Sequence, residues 1–320
     1  MLQKENAARY PVDLHTHTTR SDGNDTPAEL IANAARFGVK ILAITDHDVL
    51  PEDDVEIDEA RTPLCEYAKR HGVVALPGIE VSCDTHVDDV HIVGLGCDWA
   101  SSEIQWLPEL AVVSKVQSYR LLVEKLAAEG MSKLSWEEVL LNGRRKPEAV
   151  QKKHIFELIA WHGYAPTWQD AKILVRDNPS YDIKREKPDP VRTIESLHAA
   201  GGIAILAHPY LIDEEIILEG RPVTREAYIH RLIDSGLDGI ETRYTYNKTS
   251  YKGTMSPQAI HDEVLALYGQ RMAVLSGGSD YHADQKKGVA DPRILGEAGL
   301  SLEEFQRQPL LRKLLHGKMP

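Results

Sequence analysis

Short apolar runs recur along this chain, and most of them lead into an ionisable side chain. "VKILAITDHD" (39–48) reaches Asp46 and His47, "GVVALPGIEVS" (72–82) reaches Glu80, and "GGIAILAHP" (201–209) reaches His208. "GLDGIETRY" (236–244) and "MAVLSGGSDYH" (272–282) follow the same plan, the second closing on Asp280 and His282. Segments with a helical period lie between the runs, such as "TPAELIANAARFG" (26–38), with Thr26 as N-cap and Pro27 at the first helical position. Strand, helix, strand in repeated order is the signature of a parallel α/β protein. Functional residues in such folds gather at the carboxyl ends of the strands, in barrels above all.

The stretch "VDLHTHTTRSDG" (12–23) sharpens this. In a strand over Val12–His17, alternation puts His15 and His17 on one face, ready to hold a divalent metal, with Ser21-Asp22-Gly23 as the following turn. The run "HIVGLG" (91–96) begins with a histidine, His91. Each such residue alone is an ordinary packed or hydrogen-bonded side chain. Together, His15, His17, Asp22, His47, Glu80, His91, His208, Asp280 and His282 fall nearly all at one end of consecutive strands. In a closed barrel those ends meet on one rim, so the pattern predicts a multinuclear metal site.

Composition narrows the rest. The 320 residues, 42% hydrophobic and 27% charged, fit one large or two ordinary globular domains. The opening "MLQKENAARYP" has no apolar core of a secretory signal, and no apolar run approaches ~18 residues, the length that crosses a membrane. Cys65, Cys83 and Cys97 form no C-x-x-C pair, so they read as reduced thiols of a cytoplasmic protein. A formal charge of −12 disfavours long nucleic acid as a partner, although bound cations would still draw a small anion into one pocket. Between 105 and 187 strand patterns give way to helical ones: "SKVQSYRLLVEKLAAEG", "SWEEVLLNG" and "KKHIFELIAWHG". The expected organisation is a barrel part over 10–104, a helical insertion over 105–187, a second barrel part over 188–300 and a helical tail over 301–320.

The motifs "DLHTHTTRSDG", "TDHD", "PGIEVS", "HIVG", "AHP" and "GGSDYH", in this order, resemble the polymerase and histidinol phosphatase (PHP) family of metal-dependent phosphoesterases. The resemblance implies a distorted (β/α)7 barrel with a small helical insertion subdomain, holding about two to three divalent ions of manganese, zinc or iron. It implies His15, His17, Glu80 and Asp280 as ligands of a first ion. Glu80 would bridge to a second, held also by His91 and His208, and Asp22, His47 and His282 would hold a third. His86 competes with His91, but it lies in a polar, acidic loop whereas His91 begins its run. Glu80, Asp280 and His208 are the expected catalytic residues, with hydroxide between two cations as nucleophile and the ions polarising the phosphoryl group. A metal-bound His208 is poorly placed to release a proton, so the general acid stays unassigned. Asp46 either orients His47 or caps the strand end.

For substrate binding, "ETRYTYNKTSYKG" (241–253) offers Arg243, Tyr244 and Lys248, and "DYHADQKKG" adds Lys286 beside Lys287. His154, in the insertion, resembles a position where relatives bring a histidine to substrate. Ser118 stands near where they often carry an arginine, which weakens any transfer of substrate identity. His71, His162, His198, His230, His261 and His316 read as structural or surface residues. The expected function is hydrolysis of a small phosphorylated metabolite: a nucleotide, a sugar phosphate, or a cyclic phosphodiester opened and then dephosphorylated. The alternatives are an RNA-end exonuclease and a non-catalytic metal-binding module, the latter marked by ligand loss that this chain does not show.

Overall fold

The computed structural model describes residues 8–57, 60–218 and 220–315. The first residues of the opening segment, the last of the tail, and His316 lie outside these. The chain forms two compact units, one running to Leu107 and resuming at Pro188, the other spanning Pro108–Lys187.

The first unit is built on a seven-stranded sheet whose order follows the chain. Its strands are β1 (Val12–Asp13), β2 (Ile41–Ile44), β3 (Val74–Cys83), β4 (Val90–Leu95), β5 (Ile203–Leu206), β6 (Gly239–Arg243) and β7 (Val274–Gly277). All four residues of β2 and of β5 are buried, as expected for strands covered on both faces. Beyond β7 the chain returns to β1: Leu14 N–H donates to Gly277 O at 3.2 Å and Val12 exchanges two bonds with Leu300 at 3.1 and 2.9 Å. The sheet is thus a nearly closed barrel, and with the helices between its strands it makes the predicted α/β fold. Helix Pro27–Phe37 starts as anticipated, with Thr26 and Glu29 in a reciprocal capping box and Gly38 left-handed at its end.

One strand departs from the all-parallel expectation. β4 runs antiparallel to both β3 and β5. Only residues 84–89 separate it from β3, too few for the crossover a parallel neighbour needs, so the chain turns back as a hairpin. Two short hairpins, Asp54–Ile57 with Ala60–Pro63 and Glu215–Leu218 with Arg221–Thr224, carried no apolar run strong enough to flag them.

The early ends of the parallel strands supply Val12, Ile41, Ile203 and Val274 to a core that Phe305 and Leu311 of the C-terminal helices close off. That end of the barrel is stoppered, and the ionisable residues gather at the other. The second unit is wholly helical, with Leu122, Val123 and Leu126 packed with Ile155, Phe156 and Ile159. The long helix Ser102–Ala128, whose residues from Pro108 on belong to this unit, begins earlier than the charged segment suggested. Among the described residues no helix is long and apolar enough to cross a membrane.

Candidate metal centre

Past Asp13 the chain stays extended beside residues 278–282: Asp280 N–H donates to His15 O and His17 N–H to Tyr281 O, both at 2.9 Å. Gly278 permits this approach, since a Cβ there would lie 2.6 Å from the backbone nitrogen of His15. Buried Asp13 stitches the seam, accepting from Ser279 N and Gly296 N at 2.9 Å and from Ser279 Oγ at 2.6 Å. Burial pushes its carboxyl up to about 6, against the pull of those donors.

The alternation argument holds for the first histidine pair. Nε2 of His15 and of His17 lie 3.0 and 3.1 Å from Glu80 Oε2, and His17 Nε2 is 3.0 Å from Asp280 Oδ1. His47, bridged to Glu80 in register after β2, brings Nδ1 to 3.1 Å from the same Oε2. The other oxygen, Oε1, meets His91 Nδ1 at 2.8 Å and His208 Nε2 at 2.9 Å. His91 reaches this rim because β4 is reversed: its amino end, at His91, pairs with Ser82 near the carboxyl end of β3. His282 Nε2 lies 3.0 Å from Asp22 Oδ1, with Asp22 at the exposed edge. His86 is exposed and joins none of these clusters.

The charges of the cluster shift one another. Burial alone would raise Glu80 and Asp280, but the surrounding imidazoles hold both well below the usual carboxylate range. Conversely, burial would lower His17, yet Asp280 and Glu80 bring it up to about 9. His47 goes the other way, pushed down to about 4 chiefly by burial.

Three sets of ligand atoms lie within 4.8 Å of one another: His15, His17, Glu80 and Asp280; His47, Glu80 and His91; His17, Asp22, His47 and His282. His208 joins through Glu80, and His47 is shared by two sets, whereas the resemblance implied it for one. The hydrogen bonding tests whether a cation belongs here. Buried polar atoms in proteins are almost always paired. Yet His15 Nε2, both ring nitrogens of His17, His47 Nδ1, Glu80 Oε2, His208 Nδ1 and Asp280 Oδ1 have no hydrogen-bond partner among the described residues. Apart from His208 Nδ1, which no ligand set includes, these atoms belong to residues of the three sets; unpaired donors gathered in this way suit a shared cation, and the imidazole–carboxylate donor set fits manganese, zinc or iron.

The supporting residues differ from the sequence reading. Asp46 spends its carboxylate on Thr18 N, Thr18 Oγ1 and Ser21 Oγ at 2.6–2.8 Å, fixing the loop after the histidine pair. Tyr244, expected at the substrate, donates its hydroxyl to Asp280 Oδ2 at 2.7 Å, and Arg293 Nη1 reaches that oxygen at 2.6 Å. Both leave Oδ1 to face His15 and His17. Arg243 turns away from the cluster to Glu304 at 2.8 Å, with Gly299 O at 3.3 Å and Tyr10 beneath its guanidinium. Lys286 is held by Asp25 at 2.8 Å and Glu29 at 3.1 Å. Neither cation lines the cavity of about 320 Å³ above the ligands, whereas Lys248, Lys287 and Arg293 do. Lys248 already pairs with Glu297 at 2.7 Å and Asp291 at 3.2 Å. His154 lies in the second unit, where its Nδ1 accepts from Gln151 N–H at 3.0 Å. Glu241 and Arg293 went unnoticed in the sequence: the first lies inside a run already marked as a strand, and the second sits in "DPRIL" with no pattern around it.

A seven-stranded barrel with an imidazole–carboxylate cluster on one rim is suited to metal-dependent hydrolysis. The model of the PHP domain matches residues 13–171. A 5'-3' exoribonuclease of Haemophilus influenzae is 33% identical over 206 residues, 62% of this chain and 68% of that one. The chain therefore belongs to the PHP family. It spans 64–68% of the exoribonucleases it matches. The 3',5'-nucleoside bisphosphate phosphatase of Chromobacterium violaceum is 28% identical, with 87% of this chain and 89% of that one covered. A crystal structure from Bifidobacterium adolescentis covers 98% of this chain and 99% of its own at TM-score 0.63 and 23% identity, which shows the fold.

Proposed function

We propose that the protein hydrolyses the phosphate ester of a small metabolite that carries a second anionic group. The observation that carries this is the cavity of about 320 Å³, floored by Glu80, His91, His208, Asp280 and His282 and walled by Lys248, Lys287 and Arg293. That volume suits a single sugar- or nucleotide-sized unit. His15, His17, Glu80 and Asp280 would hold a first divalent ion; Glu80, His91 and His208 a second; Asp22, His47 and His282 a third. Bound there, such ions supply a hydroxide nucleophile at neutral pH and polarise the phosphoryl oxygens. The protein's own part is to hold the ligands: Tyr244 and Arg293 fix Asp280, and Glu80 serves both neighbouring sets with its two oxygens. Lys287, whose Nζ donates to Asp22 O at 3.0 Å, is the cation best placed for the non-reacting anion. The nucleoside bisphosphate phosphatase and the phosphoribosyl 1,2-cyclic phosphate 1,2-diphosphodiesterase of Eggerthella lenta, 28% identical over 281 residues, support such a substrate.

A second reading is favoured by the exoribonuclease relatives: the same cavity would take the terminal nucleotide of an RNA. Manganese-loaded protein should be tested for phosphate and nucleotide release from nucleoside bisphosphates, cyclic phosphodiesters and a 5'-phosphorylated oligoribonucleotide. The expected result is a higher kcat/KM on a small ester. A higher value on the oligonucleotide than on every small ester overturns the proposal in favour of the nuclease.

A further inference from the structure

Glu241, the middle residue of β6, is buried and belongs to none of the ligand sets. Its two oxygens serve two of the predicted ligands. Oε1 lies 3.3 Å from His15 Nδ1, and Oε2 accepts the backbone N–H of His208 at 2.7 Å. We propose that Glu241 is a positioning residue that couples the first and second metal positions, holding the ring of His15 and the backbone of His208 with one carboxylate. The proposal rests on the metal-centre reading above.

Each half has its own physical reason. A neutral imidazole carries one ring proton. Placing it on Nδ1 of His15, facing a carboxylate, leaves the Nε2 lone pair for a cation, and that nitrogen is the one without a hydrogen-bond partner beside Glu80 and Asp280. His208 has φ 29°, in left-handed territory, and precedes Pro209, where extended backbone is the easy choice. A charge-assisted bond to its N–H steadies that conformation, from which Nε2 reaches Glu80 Oε1.

With His15 in that tautomer both partners of Glu241 are donors, so the residue between them must accept at both ends. A carboxylate does so and a carboxamide does not. Glu241→Gln keeps the shape but faces either His15 or His208 with an NH₂ group. If the NH₂ faces His15, the ring must accept at Nδ1 and carry its proton on Nε2, where a cation should sit. If it faces His208, two donors oppose each other and the strained backbone loses its anchor.

The test is a zinc titration of chelator-stripped protein against a chromophoric competitor, with circular dichroism as the check on folding. Wild type is expected to take up more than one zinc, and Glu241→Gln to keep its fold while binding about 10- to 100-fold more weakly. In zinc-loaded wild type, long-range ¹⁵N–¹H spectra should show His15 protonated at Nδ1, and the variant should lose that signature. Glu241→Asp, which restores both acceptors on a shorter stem, should recover part of the affinity, and it also answers if the glutamine variant does not fold. Zinc affinity within twofold of wild type in the folded Gln variant, or a lowered Tm with unchanged affinity, overturns the positioning role. Wild type that binds no zinc would instead overturn the metal-centre reading, and this role with it.

Discussion

Removing the hydroxyl of Tyr244 separates two roles that sequence alone merges. Tyr244 is buried and gives its O–H to Asp280 Oδ2 at 2.7 Å, beside the Arg293 guanidinium at 2.6 Å. Burial, reinforced by Asp280, raises the phenol well above its ordinary range, so it remains a donor. In Tyr244→Phe one of two donors on that oxygen is lost while Arg293 stays. A hydrogen bond to a charged group is worth about 1.5–3 kcal/mol. With Arg293 in place and water able to enter the adjoining cavity, a loss of about 1–2 kcal/mol is expected, or roughly 5- to 30-fold in affinity for the ion at Asp280. Competition titration of the stripped protein measures this directly. The kinetic counterpart is a lower kcat at subsaturating metal that returns when metal is added, with little change in KM for the ester. Unchanged metal affinity with a raised KM would refute the reasoning and return Tyr244 to the substrate.

Arg243→Ala should leave KM unchanged within about twofold and lower Tm, because its partners are Glu304, Gly299 O and Tyr10 rather than the cavity; a tenfold rise in KM would contradict this. Glu304 is depressed to about 2, burial being overcome by Arg243 and Ser301. Its contribution should therefore be complete above the ordinary carboxyl value of 4.5 and fade as pH falls from there toward 2. For so exposed a pair it amounts to at most about 1 kcal/mol. The stability gap between wild type and Glu304→Gln should close over that window; a gap independent of pH would contradict the assignment. Gly278→Ala should cost about 1–3 kcal/mol and weaken metal binding, since the new Cβ would meet the His15 backbone; unchanged melting and metal content would show that the seam is looser than drawn.

The proposed ligands were legible because most of them close an apolar run, so a one-dimensional pattern marks a three-dimensional rim. His15 and His17 needed nothing more than the two-residue period. Lys248 was named from its loop and does line the cavity, whereas Arg243 and Lys286 turn elsewhere, for a physical reason: a lysine or arginine goes wherever a carboxylate waits, and Glu304, Asp25 and Glu29 lie far along the chain from Arg243 or Lys286. Glu241 hid in plain view, since a buried carboxylate within a strand looks the same whether it faces a metal or an imidazole. The reversal of β4 was written in the short span between its run and the one before.

The seam between β1 and β7 also has a consequence in time. His15 is made well before its neighbours in the cluster, Glu80, Glu241 and Asp280. A chain still in synthesis holds "HTH" without the carboxylate from beyond β7, and its barrel lacks the final edge against which Leu14 and Val12 bond. Non-local pairings of this kind form slowly. The three proposed ligand sets can be complete together only after residue 282 has been added, so full metal loading would come late in folding rather than guide its start.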